Sequence, residues 1–306
     1  MRAKEALLFM SIWSKQPEYY YSFAGVTIAL QFQQKVLFSE SRTLAPFRVA
    51  EKEDAQVFWV KEVDALPEPR GALLAEYSDM MVYGSKTETL RYVESSDGRW
   101  ENAWCLMEQT QDGAMIHLRK KHGTDKIASK SVFNAVGVEH LVVNAGGVIL
   151  HASYVNWDGR AILFTAPSGT GKSTQAALWH EQMGAEIING DRAVFRMEDN
   201  TAVACGIPFA GSSGICKNKT LPLAAIVYLS QAPETTLKRL GGFSAFRRIW
   251  EGCSINTWEK TDVSRASAVI QSVLQSVPVY ALACTPDETA VNILAEELRR
   301  QEKESK

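Results

Sequence analysis

The sequence predicts an α/β fold in which a mixed central sheet flanked by helices follows a mostly antiparallel β domain. In the first third of the chain, apolar residues often occupy every second position, as they do over residues 26–32. This two-residue period indicates a strand with one buried face. Later segments instead alternate short apolar strands with amphipathic helices, which is typical of α/β domains. We expect two domains, residues 1–128 and residues 129–306.

The first domain is predicted to consist of short strands joined by tight turns. Asp97-Gly98 and Asp112-Gly113 are typical of hairpin turns. The apolar or β-branched segments lie at 26–32, 57–63, 73–83, 87–93, 103–108 and 114–118. We therefore expect an antiparallel sheet or meander in this domain.

The second domain is predicted to alternate strands with helices. A helix is expected over 129–141. The expected strands are 147–155, 160–165, 186–188, 193–197, 223–229 and 279–283, and the expected helices are 173–183, 243–252 and 262–277. A capping box over 285–288, with Pro286 at the first helical position, is expected to begin the last helix.

Composition and charge exclude several classes of protein. The 306 residues include 33 Lys and Arg against 35 Asp and Glu, so a formal charge of −2 attracts neither nucleic acid nor an anionic membrane. The five cysteines form no C-x-x-C pair, which indicates reduced thiols rather than a disulfide framework. No apolar stretch reaches the roughly 18 residues of a membrane span, and the N-terminus has no secretory signal. We expect a cytoplasmic protein with no nucleic-acid or membrane partner, and the sequence leaves its oligomeric state open.

The strongest motif is a Walker A match, A-P-S-G-T-G-K-S, at residues 166–173. It follows a predicted strand and opens a predicted helix, so backbone N–H groups and the helix dipole converge on one point. Lys172 is expected to reach the β- and γ-phosphate oxygens, and the Ser173 hydroxyl to bind Mg²⁺. The sequence therefore predicts a site for ATP or another NTP with Mg²⁺. The expected nucleotide-binding residues are Pro167, Ser168, Gly169, Thr170, Gly171, Lys172, Ser173 and Thr174.

Three polar residues lie where the predicted topology brings them to this loop. Asp191 follows the strand after the P-loop helix, and it is the candidate to bind Mg²⁺ with Ser173 and to accept a proton from an attacking hydroxyl. His151 precedes the hairpin into the P-loop strand, so an antiparallel neighbour would carry it to the same edge. Arg192 is the candidate to neutralise charge on a transferred phosphoryl group. The structural alternatives are an ordinary turn, a core histidine and a surface ion pair.

A glycine- and serine-rich loop at 206–219 is a further candidate. Ser212, Ser213 and Lys217 are predicted to form an anion-binding nest for the acceptor or the γ-phosphate. The alternative is a mobile surface loop. Arg239, Arg247 and Arg248 are weaker candidates and are interpreted as part of a solvated helix face.

Two stretches, GGVILHASYVNWDGRAILFTAPSGTGKST and IINGDRA, resemble the catalytic domain of HPr kinase/phosphorylase and the wider HPr-kinase-like proteins. These proteins share a core with ATP-dependent phosphoenolpyruvate carboxykinase. His151, residues 168–173 and Asp191-Arg192 match the family's histidine, P-loop and aspartate-arginine elements in order. The resemblance covers roughly residues 145–230, and more weakly the chain to residue 300. It implies a P-loop kinase core of the type found in the HPr kinase C-terminal domain, with ATP and Mg²⁺, in which Lys172, Asp191, His151 and Arg192 are the catalytic residues.

Three departures separate the chain from HPr kinases themselves. Gly190 stands where the family has the first Asp of its pair, and Thr174 stands where it has Glu. The family's glycine- and isoleucine-rich signature is replaced by residues 205–217. The chain looks more like the divergent HPr-kinase-like proteins encoded beside ribosomally made peptides, some of which phosphorylate a Ser on a precursor peptide.

The predicted function is Mg-ATP-dependent transfer of the γ-phosphoryl group to a Ser/Thr-type hydroxyl of a peptide, protein or small-molecule acceptor. The β-rich first domain is expected to select that acceptor. One alternative, which Gly190 favours, is a nucleotide-binding or NTP-hydrolysing accessory protein of a modification pathway without its own acceptor. A carboxykinase that acts on a small carboxylate shares the same core and is a third candidate.

Overall fold

The structure is a computed structural model that describes residues 16–33, 36–110, 113–120 and 126–304. It has a mixed α/β fold with large mixed sheets, which confirms the predicted fold class at that level. The chain divides into two compact units: one contains the residues up to Ser22 and Val26–Val138, and the other contains Phe23–Gly25 and Glu139–Lys306. The N-terminal residues searched for a signal and Asp112 of the second predicted turn lie outside the described residues.

The first unit is built on a β-sheet. Its strands are β1 (Tyr19–Phe23), β2 (Val26–Phe32), β3 (Leu37–Ser39), β4 (Arg48–Val49), β5 (Gln56–Val63), β6 (Ala72–Glu76), β7 (Met80–Gly84), β8 (Glu88–Val93), β9 (Cys105–Thr110), β10 (Gly113–Arg119) and β11 (Lys126–Ala128). In the described residues, nine of them form one sheet in the order β4-β1-β2-β5-β10-β9-β8-β7-β6. The pairs β2–β5 and β5–β10 are parallel, so the predicted antiparallel meander is only partly correct.

The helix predicted over 129–141 is interrupted. Helix α1 (Ser129–Val136) ends at Gly137, whose φ of 72° is left-handed, and α2 (Val138–Asn144) begins directly after it. Helix α1 packs against β8, β9 and β10, which belong to the first unit. For this reason the predicted domain boundary after residue 128 lies before the division between the two units.

The second unit alternates strands with helices. Its strands are β12 (Gly147–Trp157), β13 (Arg160–Thr165), β14 (Glu186–Asn189), β15 (Arg192–Glu198), β16 (Thr201–Gly206), β17 (Thr220–Gln231), β18 (Thr236–Leu240), β19 (Cys253–Ser254) and β20 (Val279–Cys284). Its helices after α2 are α3 (Lys172–Met183), α4 (Gly242–Gly252), α5 (Lys260–Ser276) and α6 (Glu288–Glu304). Strands β16, β18 and the two-residue β19 are additions to the sequence prediction. Among the helices in the described ranges, none is long and apolar enough to cross a membrane.

Strand β12 changes partners in the middle. Residues 147–151 pair with β15, whereas residues 152–157 pair with β13. Strand β13 also pairs in parallel with β17. As a result, His151 lies opposite Arg192 at the start of β15, and the next residue, Ala152, lies opposite Thr165 at the end of β13. The strand thus brings two distant parts of the chain together at one point.

The last helix begins two residues later than predicted. Pro286 precedes α6, and the Oδ1 of Asp287 accepts a hydrogen bond of 2.9 Å from the backbone N–H of Thr289. Asp287 therefore caps the helix, because an aspartate at the N-cap satisfies an N–H group that has no partner within the helix.

The core of the second unit should depend on Trp179. This side chain is fully buried, and its ring contacts Trp157 and Phe164 with centroid separations of 5.1 and 5.9 Å. Trp179→Ala should lower the free energy of unfolding by about 3–5 kcal/mol, because it leaves a large cavity. Urea unfolding followed by far-UV circular dichroism measures this loss. The control is Phe243→Ala, which removes a 77% exposed ring and should cost less than about 0.5 kcal/mol; equal losses would contradict the assigned core.

Candidate functional site

The predicted phosphate loop connects β13 to α3. Gly169 has φ 78° and Gly171 has φ 117°, both in the region that favours glycine. A Cβ atom added to either residue would meet no atom within 4 Å, so both glycines border open space. The backbone N–H of Gln175 donates to Gly171 O at 2.9 Å, which closes the first turn of α3. The loop therefore has the room and the helix N-terminus that a phosphate group needs.

Lys172 turns back into this loop. Its Nζ donates to Ala166 O at 3.0 Å and to Pro167 O at 3.3 Å, and the residue is only 7% exposed. Burial lowers the pKa of Lys172, and the carboxylate of Asp191 opposes that shift. A buried ammonium with only carbonyl partners is stabilised by an anion, so a phosphate oxygen fits this position.

The chain leaves β14 through a turn that Asn189 fixes. The fully buried Asn189 accepts hydrogen bonds at Oδ1 from the backbone N–H of Asp191 (2.9 Å) and of Arg192 (3.1 Å). Its Nδ2 donates to Ile207 O at 2.9 Å. Sequence analysis interpreted residues 189–191 as a turn but gave the Asn189 side chain no role, although an Asn two residues before the candidate aspartate is typical of a turn that its side chain fixes.

Asp191 lies between His151 and Arg192. Its Oδ1 is 3.4 Å from His151 Nε2, and its Oδ2 is 3.4 Å from Arg192 Nε. The contact with His151 is the main cause that lowers the pKa of Asp191; Arg192 and Lys172 add to it, and partial burial opposes it. The structure thus brings together four side chains that sequence analysis singled out separately, and the carboxylate among them is ionised at neutral pH.

A cavity of about 380 Å³ opens beside this group and the start of the phosphate loop. Its walls include His151, Arg192, Thr165, Ala166, Pro167, Tyr228, Arg248, Glu251, Gly252, Cys253 and Ser254. The guanidinium of Arg248 lies 4.5 Å from the ring centroid of Tyr228, and its Nη1 donates to the Tyr228 hydroxyl at 3.2 Å. Sequence analysis interpreted Arg248 as solvent-facing, because no local pattern separates it from Arg247.

A second cavity of about 640 Å³ lies beside the last residues of the phosphate loop. Gly169, Thr170, Gly171 and Thr174 line it, together with Gln175, residues 229–233 at and just after the end of β17, and residues 284–286 at and just after the end of β20. Two cavities therefore border the phosphate loop, one beside its first residues and one beside its last. This arrangement gives room for a nucleotide and for a second molecule.

The segment after β16 packs against the turn that carries Asp191. A Cβ atom added to Gly190 would collide with Ser213 Oγ, and one added to Gly211 would lie 2.8 Å from Asp191 Cγ. Gly211 also has φ 54°, which favours glycine. The glycine at position 190, where the resembled family has an aspartate, therefore leaves the space that Ser213 occupies.

Two lysines of the loop at 206–219 pair with one carboxylate. Lys217 Nζ lies 2.7 Å from Glu186 Oε1, and Lys219 Nζ lies 2.8 Å from Oε2 of the same carboxylate. These contacts lower the pKa of Glu186 to about 2, with Lys217 as the largest cause. In the structure Lys217 pairs with Glu186, and a nest that it forms with Ser212 and Ser213 stays a prediction.

A magnesium ion at this site would depend on the nucleotide. Within the described ranges, no group of three or more His, Cys, Asp and Glu residues could hold a metal ion. Mg²⁺ bound with a nucleotide usually takes one or two side-chain oxygens, with phosphate oxygens and water as its other ligands. The exposed hydroxyl of Ser173 and the partly exposed carboxylate of Asp191 are suited to that smaller role.

No protein-family model matches the chain, and no curated protein matches it. Among solved structures, the chain is similar to the HPr(Ser) kinase/phosphatase from Coxiella burnetii, with 14% identity over 51% of this chain and 97% of that chain and a TM-score of 0.28.

The packing of Gly190 against Ser213 gives a first test of this geometry. Gly190→Ala should lower the free energy of unfolding by about 1–3 kcal/mol, because the added Cβ displaces Ser213. Ser213→Gly removes the obstructing atoms, so the double variant should recover much of that loss. Thermal unfolding of the wild type, both single variants and the double variant forms a double-mutant cycle. Strictly additive effects would show that the two residues do not touch.

The contact between His151 and Asp191 gives a second test. Because that contact is the main cause of the low pKa of Asp191, His151→Ala should raise this pKa toward its ordinary value of about 3.9. Carboxyl ¹³C chemical shifts against pH report it. A depressed pKa means that Asp191 stabilises the fold above its unfolded pKa and that this contribution is lost as pH falls through the folded pKa. The variant should therefore lose less stability on acidification.

The matched control for this titration is His180→Ala. His180 lies on α3, and its Nδ1 is 2.8 Å from Ala185 O, so its removal should leave the pKa of Asp191 unchanged. An Asp191 pKa that is the same in all three proteins would show that His151 does not act on this carboxylate.

Proposed function

We propose that the second unit is a Mg-ATP-dependent kinase that transfers the γ-phosphoryl group to a Ser/Thr-type hydroxyl of a peptide, protein or small molecule. The observation that carries this proposal is the convergence of His151, Asp191 and Arg192 beside Lys172 of the phosphate loop. Lys172 and Asp191 affect each other's pKa, so the two groups are within electrostatic reach. A nucleotide site and a basic carboxylate are the two components that hydroxyl phosphorylation requires.

The phosphate loop would bind the nucleotide. Backbone N–H groups of 168–173 would surround the phosphates, and Lys172 would exchange its two carbonyl partners for phosphate oxygens. Ser173 and Asp191 would hold Mg²⁺, which neutralises phosphate charge when bound. Thr174, exposed on the first turn of α3, is close enough in sequence to add a hydroxyl.

Asp191 would act as the base toward the acceptor. Its ionised carboxylate would take the proton of the hydroxyl, while His151 holds the carboxylate in place and Arg192 neutralises charge on the phosphoryl group. The cavity that His151 and Arg192 line is where we propose that the acceptor enters. In this scheme the protein acts by positioning and by charge neutralisation.

One observation favours the second candidate, a nucleotide-binding or NTP-hydrolysing accessory protein. Position 190 has no carboxylate, and the segment containing Gly211 covers one side of Asp191. Such a protein would bind and hydrolyse ATP at a rate that no hydroxyl compound changes. The kinase would release ADP faster when its acceptor is added, so the rate of ADP release with and without Ser- and Thr-containing peptides separates the two.

Loss of the Lys172 ammonium should weaken nucleotide binding. Lys172→Ala should raise the Kd for Mg-ATP about tenfold to a hundredfold, since a hydrogen bond to a charged group contributes about 1.5–3 kcal/mol. Isothermal titration calorimetry measures this Kd. The matched control is Lys238→Ala, which removes an exposed ammonium on β18. If neither the wild type nor the control binds Mg-ATP, the proposed function fails.

Loss of the Asp191 base should separate binding from transfer. Asp191→Asn keeps the size of the side chain and one oxygen that can still bind Mg²⁺, so the Kd for Mg-ATP should change only a few-fold, whereas acceptor-stimulated ADP release should fall about 10²–10⁴-fold, because an amide cannot accept the proton. Calorimetry measures the Kd for Mg-ATP and a coupled assay measures the rate of ADP release, both on the same protein sample. Full stimulated activity in this variant would exclude Asp191 as the base.

A further inference from the structure

A short 3-10 turn, Gly211–Ser213, lies directly on the residues that carry the proposed chemistry. Gly211 packs so closely that a Cβ atom at this position would lie 2.9 Å from Asp191 Oδ1, and Ser213 Oγ fills the space beside Gly190. The Ser213 hydroxyl therefore lies beside Gly190, the residue that precedes the carboxylate proposed to deprotonate an acceptor, and Gly211, two residues before Ser213, packs on that carboxylate.

The turn is held in this place from both sides. On the N-terminal side, Ile207 O accepts the hydrogen bond from Asn189 Nδ2 at 2.9 Å. On the C-terminal side, the backbone N–H of Gly190 donates to Ile215 O at 3.3 Å, and Asn189 forms a β-bridge with Cys216. A group that is fixed beside a reactive centre has a high effective concentration there, so a nearby hydroxyl has an advantage over any free molecule.

Between these fixed ends the turn is accessible, and its backbone can adjust locally. Ser212 and Ser213 are both exposed, and the flanking glycines have φ angles of 54° at Gly211 and 66° at Gly214. Glycine adopts many backbone conformations at little cost, so the turn can move a serine hydroxyl without rearranging the strands. Between Gly211 and Gly214 there is no large side chain to block this movement.

We propose that Ser213 is phosphorylated by its own chain, an inference that rests on the proposed kinase function. Ser213 Oγ would form a bond to the γ-phosphorus of ATP while the bond from that phosphorus to the β–γ bridging oxygen breaks. ADP would leave, and the hydroxyl proton would pass to Asp191. The hydrogen bond of 2.7 Å that Ser213 Oγ now donates to Ala210 O would be released first. Ser213 is chosen over Ser212 because its Oγ is the one that lies against Gly190.

The test uses the full chain and Mg-ATP. Wild-type protein is first freed of phosphate with a phosphatase, then incubated with Mg-ATP, and its intact mass is measured. Trypsin releases the peptide 197–217, which contains Thr201, Ser212 and Ser213, and tandem mass spectrometry locates the modified residue. We expect one phosphoryl group on Ser213, formed at a first-order rate that is independent of protein concentration. Because the wild type itself reports the site, the result does not depend on how a variant folds.

Two variants complete the experiment. Ser213→Ala and Asp191→Asn should both prevent the modification, whereas Ser212→Ala, the matched control, should retain it. Calorimetry with Mg-ATP is run on each protein, so that loss of the modification is separated from loss of nucleotide binding.

The outcomes distinguish this inference from the proposed function. Binding of Mg-ATP and phosphorylation of added peptides, with peptide 197–217 unmodified or modified elsewhere, would overturn the inference and leave the kinase function in place. A rate that rises with protein concentration would overturn transfer within one chain. Absence of Mg-ATP binding would overturn both.

Discussion

The buried side chain of Asn189 determines how the candidate site is built. Its amide makes three hydrogen bonds, two of them to the backbone N–H groups of Asp191 and Arg192 and one to Ile207 O. Loss of these partners would cost free energy of folding, because the amide of Asn189 is fully buried. Few other backbone paths out of β14 would keep all three hydrogen bonds. The direction of Asp191 and the position of the segment after β16 both follow from this one side chain.

The charges of the site are arranged around a carboxylate with several partners. His151, Arg192 and Lys172 all favour the ionised form of Asp191, whereas Lys172 itself is made less basic by burial. Within the part of the chain that the structure describes, the hydrogen-bond partners of Lys172 Nζ are the carbonyl oxygens of Ala166 and Pro167. The site therefore combines a stable base with a cation that a phosphate would satisfy better than its present neighbours do.

Much of the second unit could be predicted from local sequence patterns. The strand, loop and helix around the phosphate loop follow from apolar runs, glycines and helical spacing, and these patterns are local. The end of α1 at Gly137 was harder to predict, because a single glycine within a helical pattern is often tolerated. Only the left-handed φ of 72° at Gly137 shows that the helix ends there. Strand β18 was missed because its residues are mostly exposed, and its only described neighbour in the sheet is β20.

The residues of the candidate site also fall into those that local sequence patterns predict and those that they do not. Lys172 belongs to a contiguous motif, and Asp191 follows a strand that is easy to recognise. Arg248 and the contact between Gly190 and Ser213 depend on which distant segments meet, so no spacing within the sequence indicates them. The pairing of Lys217 with Glu186 is a further example: the two residues meet only because the segment before β17 runs beside β14.

The hairpin of β12 and β13 limits how related chains can vary in length. Ala152 pairs with Thr165 and Trp157 with Arg160, and the two-residue turn between them has φ 50° at Asp158 and 76° at Gly159. A single inserted residue in either strand would turn the following side chains to the opposite face of the sheet. Insertions of equal length on both sides of the turn would instead extend the hairpin away from His151. Lineages descended from this fold should therefore gain or lose residues here in symmetrical pairs.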